Sequence, residues 1–192
     1  MIKDNFFGRQ GCLDILEKRI LDLRYGYRQN IALIGDELIG KSSVIFKLLG
    51  RFYDPRIVVA YLEVRPEPAA SFANRFIAVL LYNFLGNSGM ALKEELPFLI
   101  DKSSSYLPKT VEKARYILAS LEKRKKTNIF SELLSLCELI NQESGKRCVV
   151  IFDEFHHLES SGFKNLYQDW SKTLILQKNT MYILTSSLKF RA

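Results

Sequence analysis

Apolar residues recur along this chain at two different spacings, and the alternation between them predicts its elements. Leu13, Leu16, Ile20 and Leu23 fall three or four apart, which is one face of a helix from about Gln10 to Arg24. Ile31-Ala32-Leu33-Ile34 is a short continuous apolar run and reads as a buried parallel strand. Ser43 to Leu49 returns to helical spacing. Arg56 to Val64 is rich in β-branched residues and reads as a second buried strand, ended by Pro66 and Pro68. Ser71 is placed to cap a helix running to about Leu85, and Gly86-Asn87-Ser88-Gly89 breaks it.

The second half repeats the alternation. Pro97, Pro108 and the polar Ser103-Ser104-Ser105 stretch predict two helices with a mobile link over residues 90–126. Ile129, Leu133, Leu136 and Ile140 share a helical face, and Gly145 stops that helix. Cys148 to Phe152 is a third strand, Lys164 to Leu176 a helix, and Met181 to Thr185 a fourth strand. Strands alternating with helices predict an α/β domain built on a parallel sheet.

Composition narrows the class. The chain has 192 residues, 47% of them hydrophobic, which suits one domain with a real core. The longest strongly apolar run, Phe76 to Tyr82, is too short to span a bilayer, so no membrane partner is expected. No apolar segment follows Met1-Ile2-Lys3-Asp4-Asn5, which argues against a secretory signal. Cys12, Cys137 and Cys148 are scattered and odd in number; they read as reduced thiols in a cytoplasmic protein. The formal charge is +7 and uneven. Residues 102–126 hold eight basic side chains against Glu112 and Glu122, ending in Lys123-Arg124-Lys125-Lys126. That segment offers a contact for DNA phosphates, with a solvated helix end as the plainer reading.

The chemistry is concentrated in two places. Gly35-Asp36-Glu37-Leu38-Ile39-Gly40-Lys41-Ser42 fits the phosphate-loop pattern G-x-x-x-x-G-K-[ST] at every fixed position, between a predicted strand and a predicted helix that begins at Ser43. Backbone N–H groups of such a loop form an anion nest, and the helix N-terminus adds partial positive charge. Lys41 is then expected to reach the β- and γ-phosphates, and Ser42 to ligate Mg²⁺. Asp36 and Glu37 are expected to face solvent at the loop tip.

The other place is Val149-Val150-Ile151-Phe152-Asp153-Glu154, an apolar strand ending in two acids. Carboxyl ends of parallel strands share one side of the sheet, so both acids should face the loop. Asp153 would hold Mg²⁺, and Glu154 would act as general base on a water. Thr185 or Ser186, at the end of the fourth strand, would bond a γ-phosphate or that water. His156 and His157 read as loop histidines beside the site.

Asn5-Phe6-Phe7-Gly8-Arg9-Gln10 with Leu13 and Leu16 resembles the Gly-Arg box that precedes the phosphate loop in AAA+-related ATPases. With GDELIGKSS, VVIFDEFHHL and YILTSS it is most similar to the archaeal-ATPase and STAND group of the ASCE P-loop NTPases, over nearly the whole chain. The resemblance implies a three-layer αβα sandwich with a mainly parallel sheet, in the order five-one-four-three-two. It implies that Gly8 and Arg9 lie near the adenine, and that a polar sensor (Thr185 or Ser186) sits on the fourth strand. It also implies an ATP-driven switch, often in a homo-oligomer or with a partner protein. Leu38 and Ser186 stand where the family pattern usually has glycine. The chain has no room for a fifth strand, lid or winged helix. This predicts a single ATPase core over residues 1–192, the N-terminal part of a longer protein, with Ile31–Ile34 left as a sheet edge.

Three functions follow as expectations: Mg²⁺-dependent ATP binding and hydrolysis that switches an assembly or a DNA-linked process; a nucleotide-binding regulatory module with little or no hydrolysis; and a DNA-binding initiator or transposition accessory. A P-loop kinase is disfavoured by the adjacent acids. No guanine-reading N-K-x-D pattern occurs, and the resemblance favours ATP.

Overall fold

A computed structural model describes residues 8–86, 92–123 and 128–187, as a mixed α/β arrangement. The elements run α1 (Gln10–Leu23), β1 (Ile31–Ile34), α2 (Lys41–Arg51), β2 (Ile57–Glu63), α3 (Ala69–Gly86), α4 (Leu96–Ser103) and α5 (Pro108–Glu122). They continue with α6 (Ile129–Ser144), β3 (Arg147–Asp153), a 3₁₀ helix (Phe155–Ser161), α7 (Leu166–Leu176) and β4 (Thr180–Ser186). The four strands are all parallel, in the order β1-β4-β3-β2.

Period-two alternation sends each strand's side chains to two separate cores. Val58, Ala60 and Leu62 of β2 join Cys148, Val150 and Phe152 of β3 and Tyr182 of β4 against α3, α5, α6 and α7. On the other face Ile57, Val149, Ile151, Met181 and Ile183 pack with Leu13, Leu16 and Ile20 of α1 and Val44, Ile45 and Leu48 of α2. Helices thus cover both sides of the sheet, compatible with a three-layer sandwich. The larger core is strongly aromatic. The ring of Phe152 lies 6.0 Å from those of Phe72 and Trp170 and 6.1 Å from those of Phe76 and Phe155.

Several boundaries move from their sequence-based positions. Ser71 is not the cap of α3: the helix starts two residues earlier at Ala69, and Ser71 sits exposed in its first turn. The Ser103-Ser104-Ser105 link is a closed turn. Ser103 is buried, and its carbonyl accepts from the N–H groups of Tyr106 (3.0 Å) and Leu107 (2.8 Å). Leu107 offers no capping side chain for α5, so Glu143 of α6 supplies one from a distance. Its carboxylate accepts from the N–H groups of Lys109 (2.7 Å) and Thr110 (2.9 Å). Gly145 ends α6 in the left-handed conformation expected of a C-terminal glycine. The run Arg124–Lys126, like Asn5–Phe7 and Asn87–Gly89, lies outside the described residues.

Ile31–Ile34 is the sheet edge, pairing with β4 alone among the described strands. It is half-buried, contrary to the buried strand expected: Ile31 and Leu33 pack toward α1 and α2, while Ile34 stays 53% exposed. A continuous apolar run signals a strand but does not say how many of its faces are covered. By length and composition α3 would suffice to cross a membrane. Eight of its residues, Phe72 to Leu85, are instead buried in the larger core.

Truncating Phe152 removes the ring on which four others pack, so Phe152→Ala should cost about 3–5 kcal/mol. Denaturant unfolding followed by the fluorescence of Trp170, the single tryptophan, measures this directly.

Candidate functional site

The loop from β1 to α2 closes over the carboxyl ends of β1 and β4. The Gly35 N–H donates to the Ser186 carbonyl at 3.3 Å, tying the loop to the neighbouring strand. Gly40 caps α2 with φ +85°, a left-handed conformation that only glycine adopts without cost. A β-carbon there would also come within 3.2 Å of the Arg9 guanidinium. Arg9 is therefore held against the loop, while Gly8 is exposed. Leu38, at the loop tip, has φ 60°, which costs a non-glycine residue about 1–2 kcal/mol.

Lys41 opens α2 and is only 7% exposed. Its ammonium donates to the carbonyls of Gly35 (3.1 Å) and Asp36 (2.9 Å) and to the Ser187 hydroxyl (2.9 Å). Those bonds use all three of its protons. The first N–H groups of α2 have no partner within the helix, so its N-terminus presents donors and partial positive charge beside Lys41.

Asp153 ends β3 and is 2% exposed. Its carboxylate accepts from the Tyr61 hydroxyl of β2 at 2.9 Å and from the Thr185 hydroxyl of β4. Among the described residues no cationic side chain pairs with it. Burial, and then the Asp153 hydrogen bond, push the Tyr61 phenol up, so it remains a proton donor. Thr185 also accepts from the Glu154 N–H at 2.9 Å, so one hydroxyl orients both acids.

Glu154 has φ 53° and ψ 49°. Of the three described non-glycine residues with positive φ, Leu38 and Glu154 both face the same cleft. The Glu154 carboxylate accepts from Ser187 at 2.7 Å and lies 3.4 Å from His156 Nδ1. The cleft has a volume of about 460 Å³, bounded by Glu37, Leu38 and Gly40 to Ser43 on one side and Glu154, His156, His157 and Ser187 on the other.

The structure thus brings together Gly40, Lys41, Ser42, Ser43, Glu37, Leu38 and Glu154. It places Gly35 beneath the Ile39 side chain and leaves Asp36 and Ile39 at the loop's exposed rim. Asp153 and Thr185 lie behind the cleft wall, not on it. Ser186 turns toward His156, its hydroxyl 3.5 Å from Nδ1. From this end of the sheet it is Ser187 that lines the cleft, one residue past Ser186 and two past Thr185. Tyr61 was equally invisible in advance, being one more apolar-looking position in β2. The two histidines sit on a 3₁₀ helix, rings 4.1 Å apart, not in a loop. Among the described residues, no three His, Cys, Asp or Glu side chains gather as a metal cluster.

Compared with known proteins, the chain matches no family model and no curated protein sequence.

Thr185→Val should leave the Asp153 carboxylate and the Glu154 N–H each short of a partner, at a cost of about 1–3 kcal/mol. Thr185→Ser should restore most of this in the same denaturation assay. His156 gives a pH signature. Burial, then His157, hold its imidazole below the ordinary value of 6.5, against the smaller upward pull of Glu154 and Glu159. The unfolded chain therefore takes up the proton first, and this contribution to stability, full above 6.5, is lost as pH falls through the lower folded value. From about pH 7.5 to about pH 5.5, wild type should lose more stability than His156→Gln.

Proposed function

We propose that the cleft binds the phosphates of ATP with Mg²⁺, and that the chain is a nucleotide-driven switch of the P-loop ATPase class. The observation that carries this reading is the convergence at one end of the sheet. A glycine-bounded loop on a helix N-terminus and an otherwise cation-free acid pair come from strands far apart in sequence. An anion nest supplied by backbone N–H groups and Lys41 suits a polyphosphate. A buried carboxylate with hydroxyl donors and no cation is an environment that favours a bound metal ion. The side chains bonded to Asp153, the Tyr61 and Thr185 hydroxyls, offer oxygen alone, which fits a hard cation.

In this reading Ser42 and Asp153 would hold Mg²⁺, which would neutralise phosphate charge, with Asp153 giving up the Tyr61 or Thr185 hydroxyl to reach the cleft from behind its wall. Lys41 moves from its loop carbonyls to the phosphates. Glu154 accepts a proton from the attacking water, and Ser187, already bonded to both Lys41 and Glu154, positions the two relative to each other. Arg9, against Gly40, lies on the side where α1 enters and is the residue to contact the nucleoside. The strained conformations of Leu38 and Glu154 fit a site in which backbone geometry serves binding.

A specific observation favours slow turnover. One Glu154 oxygen accepts from Ser187, the other lies 3.4 Å from His156 Nδ1, and Lys41 has no free proton. Water activation would need these bonds to rearrange, which a regulatory module with little hydrolysis would exploit. The basic segment 102–126 lends the DNA reading little within the described residues. Lys123 stands at the C-cap of α5, and Lys113 is paired with Glu132.

Calorimetric titration with Mg-ATP and Mg-GTP tests the reading. Saturable ATP binding should disappear in Lys41→Ala. Glu154→Gln should retain ATP binding and lose at least about a hundredfold in any turnover, the usual share of a general base. Absence of ATP binding by the folded chain would remove the proposal.

A further inference from the structure

Among the described residues the sheet has a second open edge, on the far side from β1, and the helices have left a slot along it. Two backbone hydrogen bonds fix which way β2 turns. The Arg56 carbonyl accepts from the Arg147 N–H at 3.0 Å, and the Val64 N–H donates to the Asp153 carbonyl at 2.8 Å. Even-numbered residues of β2 therefore turn their backbone groups toward β3. Val59 and Tyr61 turn theirs the other way, where no described strand lies. Two residues further on, the edge is closed: the Arg75 guanidinium donates to the Glu63 carbonyl at 2.9 Å.

A groove of about 420 Å³ runs beside the open stretch. Its floor is Ile57, Val59 and Tyr61; Leu49 and Phe52 of the α2 end overhang one side, and Val79 and Tyr82 of α3 the other. Asp54 is the one acid lining it, and its carboxylate is already bonded to Arg24 at 3.0 Å and Arg56 at 3.4 Å. A long, untwisted-off edge without proline or lysine is a template for pairing. Seven residues of Ile57-Val58-Val59-Ala60-Tyr61-Leu62-Glu63 offer no such protection.

We propose that this groove binds an extended, uncharged peptide segment of another protein as an added strand beside β2. The unpaired N–H and C=O groups of Val59 and Tyr61 call for a backbone, not for a compact ligand. The apolar walls call for small β-branched or aliphatic side chains on both faces of that strand, and the neutralised Asp54 gives no purchase to a charge. A second copy of this chain does not fit the slot edge to edge, because its own β2 is flanked by the same overhanging α2 and α3. The inference is independent of nucleotide binding, although Tyr61 connects the two places: it lines the groove, and its hydroxyl bonds Asp153 behind the cleft wall.

The test uses the whole chain and a short capped, uncharged peptide of alternating valine and threonine with an asparagine at each end. Amide exchange read by NMR should show Val59 and Tyr61 exposed in the free protein and slowed about tenfold by the peptide. A peptide N-methylated at alternate residues cannot donate to the edge and should bind about tenfold more weakly. Val59→Pro removes an outward N–H without breaking the ladder to β3, and should also abolish binding. Tyr82→Asp, a surface change on α3, should weaken it if the proline variant does not fold. The proposal fails if the peptide does not bind, if N-methylation leaves its affinity unchanged, or if protection falls elsewhere. Protection of Val59 and Tyr61 that grows with protein concentration alone would assign the edge to self-association and overturn it as well.

Discussion

A carboxylate removed from water at the end of a buried strand must be compensated, and Asp153 is the point around which this molecule is arranged. Nothing cationic reaches it among the described residues. It is held by hydroxyls from the strands on either side, Tyr61 on β2 and Thr185 on β4. Those two bonds require β2, β3 and β4 to keep their register, since a shift of one residue would send both hydroxyls to the opposite face. The hydroxyl of Thr185 then fixes the Glu154 N–H, and with it the left-handed turn that sends the chain into the 3₁₀ helix. Solvation of a single acid thus reaches from the middle of the sheet to the rim of the cleft.

Packing reinforces that arrangement from behind. Phe152 and Phe155 bracket the two acids and both pack on Trp170, so the residues that aim Asp153 and Glu154 belong to the densest part of the aromatic core. On the loop side, α2 is anchored by Val44, Ile45 and Leu48, which keeps its N-terminus over the strand ends. Rigid elements thus support a loop whose own polar groups satisfy one another through Lys41.

Much of this was legible beforehand, for identifiable reasons. Continuous apolar runs located the four strands, and three-to-four spacing marked α1 and α6, whereas α4 and α5 were announced only by Pro97, Pro108 and the serines between them. The glycines and lysine of the Gly35–Ser42 loop, and the acids closing an apolar strand, marked the two halves of the site. Boundaries went astray where a partner distant in sequence supplied the cap, as Glu143 does for α5. The 3₁₀ helix escaped because it follows a positive φ at Glu154, which nothing in Asp-Glu-Phe-His-His announces. Ser187 escaped because three consecutive hydroxyl residues close β4, and which one enters the cleft depends on where the strand stops.

What the sequence determined by itself was local: alternation, the loop's backbone chemistry, and the residue types that close β3. These depend on neighbours a few positions away, and the physics of a strand or helix reads them at that range. Tertiary structure alone decided that Tyr61 reaches Asp153, that Thr185 lies behind the cleft while Ser187 lines it, and that no described strand pairs with the outer side of β2. Each of those is a contact, or a missing contact, between elements whose separation along the chain carries no signal. Sheet order and register settle them.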